Sequence, residues 1–231
     1  MLSARDAASH AGFLGGVAEP TQLPAQAQAG DALGPWVLAL VLGEGGMGTV
    51  WLARRSDGRF EGHAAIKLLR TGLFDASAQA RFRREGAMLA RLHHPGIAPL
   101  LDAGISARGQ PYLVLAYVQG HRIDGFCAAG DLSLRARVML FLQVLDAVAA
   151  AHAQLVIHRD IKPSNILVEP GGRVRLLDFG LARLAPGGAG GDEPLTHEGS
   201  WALTPEYAAP EQFGGGVLST ATDVFAAGVV L

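Results

Sequence analysis

The stretch HRDIKPSNILVEPGGRVRLLDFG, residues 158–180, has polar groups at both ends and an apolar hairpin between them. Residues 166–168 and 174–177 are short runs typical of β-strands. The Pro-Gly-Gly sequence at 170–172 separates them and is a strong turn signal, because glycine suits the two-residue hairpin turns that require positive φ. The pattern therefore predicts a tight hairpin with charged and amide side chains at its open end.

The turn also determines which residues face each other at that open end. Symmetrical pairing about Gly171 and Gly172 predicts that Asn165 lies opposite Asp178. Directly opposed residues have Cβ atoms about 5 Å apart, and Mg²⁺ prefers oxygen ligands, including one or two carboxylates together with substrate phosphates. The pattern therefore favours a magnesium site here. The spacing leaves open a plainer alternative, in which Asn and Asp are turn residues of a solvated hairpin end.

The composition is that of a globular protein with a substantial core. Of the 231 residues, 49% are hydrophobic and 17% are charged, which suits one large domain or two small lobes. The formal net charge of −2 predicts no affinity for nucleic acid or an anionic membrane surface. The single cysteine, Cys127, excludes an intramolecular disulfide and fits a reducing compartment, so we expect a cytoplasmic protein.

The hydropathy pattern predicts neither a secretory signal nor a membrane segment. Residues 1–34 lack a continuous apolar stretch, and we interpret them as a flexible lead-in. The longest apolar region, residues 138–157, is interrupted by Gln143, Asp146 and His152, which favours a core helix over a membrane span. A membrane tether in a segment after residue 231 stays open.

Periodicity predicts a β-rich half followed by an α-rich half. Strand-like runs lie at residues 36–42, 49–53, 64–69, 97–101 and 112–118, and helical patterns lie at 76–92, 123–129 and 134–154. Ser133 is the expected N-cap of the long helix, and a last helix is expected to begin at a Ser/Thr cap near residue 219. We therefore predict an α+β fold with three parts: the lead-in at 1–34, a small antiparallel β lobe with one helix at 35–118, and a larger, mostly α lobe at 119–231. A cleft between two such lobes is a favoured ligand site.

The glycine-rich stretch LGEGGMGTVW, residues 42–51, contains the pattern Gly43-x-Gly45-x-x-Gly48. A dinucleotide-binding glycine loop opens a helix, but residues 49–52 continue as a strand, which excludes that class. The Gly-Lys-Ser/Thr ending of a Walker-type phosphate loop is also missing from this stretch. What remains is a glycine-rich hairpin whose backbone can approach phosphate oxygens closely.

Lys67 follows an apolar strand run, where an unpaired ammonium group would be unfavourable. One interpretation gives it phosphate oxygens and a carboxylate from the following helix. Glu85 is the best candidate for that carboxylate, because it shares a helix face with Phe82 and Leu89. The alternative is a Lys on an edge strand, exposed to solvent.

These pieces occur in the order of the protein kinase signature set. They are Gly43 to Gly48, Lys67, Glu85, HRDIKPSN at 158–165, DFG at 178–180 and APE at 209–211. The stretches GEGGMGTVW, TPEYAAPEQ and TATDVFAAGVVL look most like bacterial serine/threonine kinases of eukaryotic type. The resemblance covers residues 36–231 and implies a bilobal protein-kinase-like fold, ATP and Mg²⁺ as cofactors, protein substrates, and phosphoryl transfer to Ser or Thr hydroxyls.

The resemblance also implies roles for individual residues. Asp160 would accept the proton of the substrate hydroxyl, and Lys162 would neutralise charge on the transferring phosphate. Asn165 and Asp178 would hold Mg²⁺, while Lys67, paired with Glu85, would hold the α- and β-phosphates. Residues expected to contact the nucleotide are Leu42, Gly43, Glu44, Gly45, Gly46, Gly48, Val50, Ala65, Lys67, Leu115, Tyr117, Val118 and Leu167. Asp223 would brace the catalytic loop.

Regulation is predicted from Arg159, which stands beside the expected catalytic Asp160. An Arg near a loop favours an anion, and a phosphate added to that loop would order it through bidentate hydrogen bonds. The candidates for autophosphorylation are Thr196 and Ser200, and Thr204 in TPEY further favours Ser/Thr specificity. The alternative is that these hydroxyls simply lie in a solvent-exposed loop.

Kinase catalytic domains of this type continue past the final helix found here, so we expect the α lobe to be incomplete at its C-terminus. The Arg that usually pairs with Glu211 is missing, and we expect Glu211 to be a partly buried charge without a counter-ion. We also expect this segment alone to be unstable and weakly active. A homodimer through the β lobe is a further expectation. The alternatives to an active kinase are a pseudokinase or scaffold, an inactive fragment, and a small-molecule phosphotransferase of related fold.

Overall fold

The computed structural model describes residues 27–70, 76–179, 205–213 and 216–231. The strands are β1 (Ala32–Leu33), β2 (Trp36–Gly45), β3 (Gly48–Arg55), β4 (His63–Leu69), β5 (Leu100–Ile105), β6 (Pro111–Ala116), β7 (His121–Arg122), β8 (Ile166–Val168) and β9 (Val174–Leu176). The helices are α1 (Ala76–Leu89), α2 (Ile123–Ala129), α3 (Leu134–His152), α4 (Pro210–Phe213) and α5 (Thr220–Val230). A short 3₁₀ turn, Pro163–Asn165, leads into β8.

The first half of the chain forms an antiparallel sheet of six strands in the order β1-β2-β3-β4-β6-β5. Helix α1 is inserted between β4 and β5. The second half is mostly helical, with a small sheet of β7, β8 and β9. This architecture confirms the predicted α+β fold of a small antiparallel β lobe with one helix and a mostly α lobe.

The two faces of the large sheet have different partners. Trp51 and Ile66 are neighbours in register and lie in a buried cluster on one face, together with Trp36 and Leu38. Side chains alternate between the two faces along a strand, so Lys67, the residue after Ile66 on β4, points to the opposite face. Lys67 therefore lies on the face directed towards the α lobe.

The α lobe is organised around α3, whose buried residues recur at helical spacing. They are Leu140, Val144, Ala147, Val148 and Ala151. The Ser133 side chain accepts a hydrogen bond from the Ala136 amide, which confirms the predicted N-cap. α5 begins at Ser219 with a reciprocal capping box, as its Ser/Thr-rich start predicts.

The hairpin register differs by one residue from the prediction. Val168 pairs with Val174 and Ile166 pairs with Leu176. Glu169 and Arg173 close a longer loop through a backbone hydrogen bond of 2.9 Å, so the loop is not the two-residue turn expected from Gly171-Gly172. The residue that bonds the backbone of Asn165 is therefore Leu177, whose amide donates to the Asn165 carbonyl at 2.9 Å.

Two further boundaries differ from the sequence prediction. Helix α1 ends at Leu89 instead of residue 92, because the next amides form tighter turn hydrogen bonds, including Leu92 to the Leu89 carbonyl at 3.0 Å. The predicted strand at 97–101 begins only at Leu100. Ile97 instead forms a parallel bridge with Leu176 of β9, and this bridge joins the two lobes.

A single hydrophobic cluster crosses from the β lobe to the α lobe. It includes Leu69, Leu113 and Phe82 from the first and Ile166 and Leu176 from the second. Each Å² of apolar surface that the two lobes remove from water contributes about 25 cal/mol of stabilisation. The common cluster therefore favours a fixed position of one lobe relative to the other. In the part of the chain that the structure describes, no helix has the length and apolar character needed to cross a bilayer.

Gly48 offers a direct test of the glycine-rich hairpin. Its φ is +145°, and a Cβ atom at this position would overlap the carbonyl oxygen of Leu68. We expect Gly48→Ala to lower the free energy of unfolding by about 1–3 kcal/mol, through backbone strain and this overlap. The measurement is chemical denaturation of the purified variant.

Gly45→Ala is the matched control in the same hairpin, because nothing lies within 4 Å of a Cβ atom built there. We expect its effect to stay within about 0.5 kcal/mol, as for most exposed substitutions. Equal stability of the two variants would contradict the hairpin geometry.

Candidate active site

A buried carboxylate at the start of α5 holds the loop that precedes the small sheet. Asp223 has no solvent exposure. It accepts hydrogen bonds from the backbone amides of His158 and Arg159, each at 2.7 Å, and lies 2.7 Å from His152 Nε2. Arg159 has a φ of +69°, a conformation that costs about 1–3 kcal/mol and persists only where its surroundings impose it. Asp223 supplies that constraint.

The loop presents Asp160 in a cluster of polar side chains. Lys162 Nζ lies 2.9 Å from Asp160 Oδ2, and Asn165 Nδ2 donates to the same oxygen at 3.0 Å. Asn165 Nδ2 also bonds the Asp160 carbonyl at 2.8 Å. The 3₁₀ turn makes this possible, because it folds Asn165 back over the loop. The resemblance implied a separate role for each of these three side chains, and the structure brings Lys162 and Asn165 into contact with Asp160.

An ion pair joins the two lobes at the same place. Lys67 Nζ, on β4, lies 2.7 Å from Asp178 Oδ2, directly after β9. Lys67 is only 6% exposed, so its charge requires a partner. In the structure this partner is Asp178, while the Glu85 carboxylate lies 3.8 Å from Arg84. The pairing of Lys67 with Glu85 stays a prediction.

His158 and Phe179 connect the loop to the end of the hairpin. His158 is fully buried, and its ring packs against that of Phe179 with centroids 4.5 Å apart. Its Nε2 lies 2.8 Å from the carbonyl oxygen of Leu177. Because Leu177 and Phe179 flank Asp178, these contacts on both sides fix the position of that carboxylate beside the loop.

The oxygen donors at this junction suit a hard divalent cation. Asn165 commits its amide nitrogen to Asp160, so its amide oxygen points away from that carboxylate. The Asp178 carboxylate follows Leu177, which bonds the Asn165 backbone. A carboxylate and an amide oxygen are among the ligand types that Mg²⁺ uses together with phosphates, so Asn165 and Asp178 are the candidates to hold such an ion.

The family is decided by comparison with known proteins. Residues 36–231 match the protein kinase domain model. The chain belongs to the protein kinase domain family. It is 38% identical over 197 residues to the serine/threonine-protein kinase pkn3 of Myxococcus xanthus. It is 37% identical over 203 residues to PknA of Mycobacterium tuberculosis, also named as a serine/threonine-protein kinase.

Solved structures agree with this membership. The PknI kinase domain of Mycobacterium tuberculosis matches with a TM-score of 0.66 and 27% identity, over 89% of this chain and 74% of that chain. The match to pkn3 covers 83% of this chain and 36% of pkn3, and that to PknA covers 85% and 46%. The chain therefore spans less than half the length of these curated relatives.

Several residues expected to contact the nucleotide share one face of the kinase β lobe. Val50 pairs with Lys67, and Ala65 pairs with Leu115, so their side chains point to the same side as the buried ammonium group. Leu42, Gly43, Glu44, Gly45 and Gly46 are exposed along the β2–β3 hairpin. Tyr117 and Val118 follow β6, and Leu167 lies half-buried in β8. Thr196, Ser200, Thr204 and Gly180 lie outside the described residues.

Glu211 of the APE motif has a partner that the sequence analysis did not anticipate. The Thr222 hydroxyl donates a hydrogen bond of 2.6 Å to Glu211 Oε1. This bond lowers the pKa of the Glu211 carboxyl below its ordinary value, since it favours the charged form. The associated stabilisation is present at neutral pH and is lost as the pH falls through the lowered pKa. The sequence analysis expected the Glu211 carboxylate to be without a counter-ion. In the structure a hydrogen bond from the Thr222 hydroxyl stabilises this carboxylate.

Sequence reasoning missed two positioning residues of the kinase loop. Gln212 Nε2 donates to the Arg159 carbonyl at 3.0 Å, while its Oε1 accepts from the Ala209 amide at 2.9 Å. His152, at the end of α3, contacts Asp223. The only signals were a Gln directly after the APE motif and a polar ring at the end of an apolar helix.

The role of Asp223 can be tested by removing one acceptor. In Asp223→Asn, an NH₂ group replaces one carboxylate oxygen and faces backbone N–H donors in a buried site. We expect a loss of about 1–3 kcal/mol in the free energy of unfolding, because a buried donor loses its acceptor. The measurement is urea denaturation followed by circular dichroism.

The matched control is Asp102→Asn, an exposed position on β5 where the side-chain oxygen that accepts from Ala103 is retained. We expect this variant to unfold within about 0.5 kcal/mol of the wild type. If Asp223→Asn is as stable as this control, the carboxylate does not hold the loop.

Proposed function

We propose that the protein is an ATP-dependent serine/threonine kinase that phosphorylates other proteins. The observation that carries this proposal is the meeting of charged groups from both lobes. Asp160, Lys162 and Asn165 form one hydrogen-bonded cluster, and the Lys67–Asp178 ion pair lies at the neighbouring hairpin end. Family membership and the names of the curated relatives support the same activity.

Asp160 is the proton acceptor for the substrate hydroxyl. The oxygen of a substrate Ser or Thr forms a bond to the γ-phosphorus, the bond from that phosphorus to the bridging oxygen of ADP breaks, and the hydroxyl proton passes to Asp160. Phosphoryl transfer needs little covalent help from the protein, so the rate comes from positioning and charge neutralisation. Lys162 and Asn165 hold Asp160 Oδ2, which orients the carboxylate for this task.

Asn165 and Asp178 would hold magnesium, and Lys67 would hold the phosphates. Bound Mg²⁺ supplies positive charge that offsets the charge of the phosphate oxygens. Lys67 is buried against Asp178 in this structure, so phosphate oxygens would become its additional partners when the nucleotide binds. Glu85, also buried and on α1, is the proposed second support for Lys67.

The remaining parts of the proposal follow the division into a lead-in, a β lobe and an α lobe. The face of the β lobe that carries Val50, Ala65 and Leu115, together with the glycine-rich hairpin, would bind the nucleotide. Its protein substrates enter from the α lobe, and phosphorylation of the segment with Thr196, Ser200 and Thr204 regulates it through Arg159. A cytoplasmic location and a homodimer through the β lobe stay predictions.

The decisive variant is Asp160→Asn in the full-length protein. With labelled ATP, Mg²⁺ and a generic protein substrate, we expect phosphate incorporation to fall by about 10²–10⁴-fold, as for loss of a general base. Asp102→Asn keeps the same change of charge on an exposed strand and should retain wild-type activity.

Three results would contradict the proposal. Labelling that survives the Asp160 substitution would remove that residue from its role. Absence of labelling in both the wild type and the variant, with a folded protein, would favour a scaffold. Labelling of small metabolites in place of protein would indicate a phosphotransferase of another class.

A further inference from the structure

A groove of about 460 Å³ lies between α2, the start of α3 and the turn that joins β8 to β9. We call it the α2–α3 groove. Its apolar lining includes Phe126, Leu132, Met139 and Leu140, and Met139 is 55% exposed. Pockets that bind ligands typically have volumes of roughly 300–1,000 Å³. None of these residues belongs to the candidate active site, so the proposed phosphoryl transfer gives the groove no role.

The side-chain amide of Gln143 fixes one wall of the α2–α3 groove through its nitrogen and its oxygen. Gln143 Nε2 donates to the Gly172 carbonyl at 3.1 Å, and its Oε1 accepts from the Val174 amide at 3.1 Å. These bonds tie the β8–β9 turn to α3. A groove held in this way is organised before binding, which reduces the entropy lost when a partner enters.

The charge around the groove is positive although the α lobe carries more acidic than basic residues. Arg135 lines the groove, and the sequence neighbours of two other lining residues, Arg137 after Ala136 and Arg173 after Gly172, are exposed. Asp131 is the exposed acidic residue beside them. The edge of the groove is therefore suited to carboxylates, in contrast to the lobe as a whole.

The start of α3 strengthens this positive field. Its first turn contains Arg135 and Arg137 and no acidic residue. The N-terminus of a helix carries partial positive charge, and acidic side chains are the stabilising choice there. Two arginines at this end oppose the stability of the helix, whereas a carboxylate from a partner would relieve the unfavourable field.

We propose that the α2–α3 groove is a docking site for a short peptide segment of a partner protein. An acidic side chain of the peptide contacts Arg135, and apolar side chains beside it pack on Phe126, Leu132 and Met139. The side chains of a peptide can enter a groove with an apolar floor, whereas the surface of a bilayer is flat. The acidic α lobe also repels anionic membranes and nucleic acid. The site is independent of the proposed catalysis, because it needs binding alone.

Fluorescence anisotropy tests this docking site directly on the full-length protein. The probes are fluorescein-labelled pools of short peptides in which Glu is followed by Leu or Phe. One comparison pool has Lys in place of Glu, and another has Ser in place of the apolar residues. We expect saturable binding of the first pool, and binding at least about tenfold weaker for each comparison pool and for the Arg135→Glu variant.

Arg135→Glu also controls for folding. It places a carboxylate at the positive end of α3, so its melting temperature should equal or exceed that of the wild type. Lost binding in this variant would therefore not reflect unfolding. Arg91→Glu reverses the charge of an exposed residue in the β lobe and should bind the acidic pool like the wild type.

Four outcomes would overturn the proposal: no saturable binding of any acidic pool, equal binding of the Lys pool, equal losses in Arg135→Glu and Arg91→Glu, or binding of phosphatidylserine vesicles through Arg135 without binding of peptides. The last result would indicate a membrane surface as the partner.

Discussion

The buried carboxylate of Asp223 is the interaction on which the site depends. A loop that places Arg159 at positive φ is unfavourable in isolation, and two of its backbone amides need acceptors away from water. Asp223 satisfies both amides from the start of α5, which is itself anchored by the Ser219 cap. The geometry of the loop is thus set by a residue more than sixty positions later in the chain.

The second constraint is electrostatic. Two ammonium groups and two carboxylates lie at the junction of the lobes with little exposure to solvent. They belong to Lys67 and Lys162 and to Asp160 and Asp178. Each carboxylate has an ammonium partner within 2.9 Å, so no charge is left isolated in a medium of low dielectric. The same pairing suits the binding of a phosphate ligand together with its cation. The ammonium groups can then exchange carboxylate oxygens for phosphate oxygens.

The sequence predicted the parts of the fold that depend on local pattern. The Ser133 and Ser219 caps and the division into β-rich and α-rich halves follow from periodicity and capping chemistry, and the structure contains them. The hairpin register was wrong because the closing pair is Glu169 with Arg173, a choice that turn composition does not reveal. The Lys67–Asp178 ion pair was not predicted. It depends on the tertiary placement of Asp178 next to β4, which the local pattern around neither residue reveals.

The central claim is that groups from both lobes converge on one metal-nucleotide complex. The most direct measurement is anomalous diffraction from crystals of the protein grown with Mn²⁺ and a non-hydrolysable ATP analogue. We predict an anomalous peak with oxygen ligands from Asn165 and Asp178, at about the 2.0–2.1 Å expected for Mg²⁺ or slightly longer, and Lys67 Nζ in contact with phosphate. A peak at another site, or nucleotide bound without either side chain as a ligand, would contradict the account.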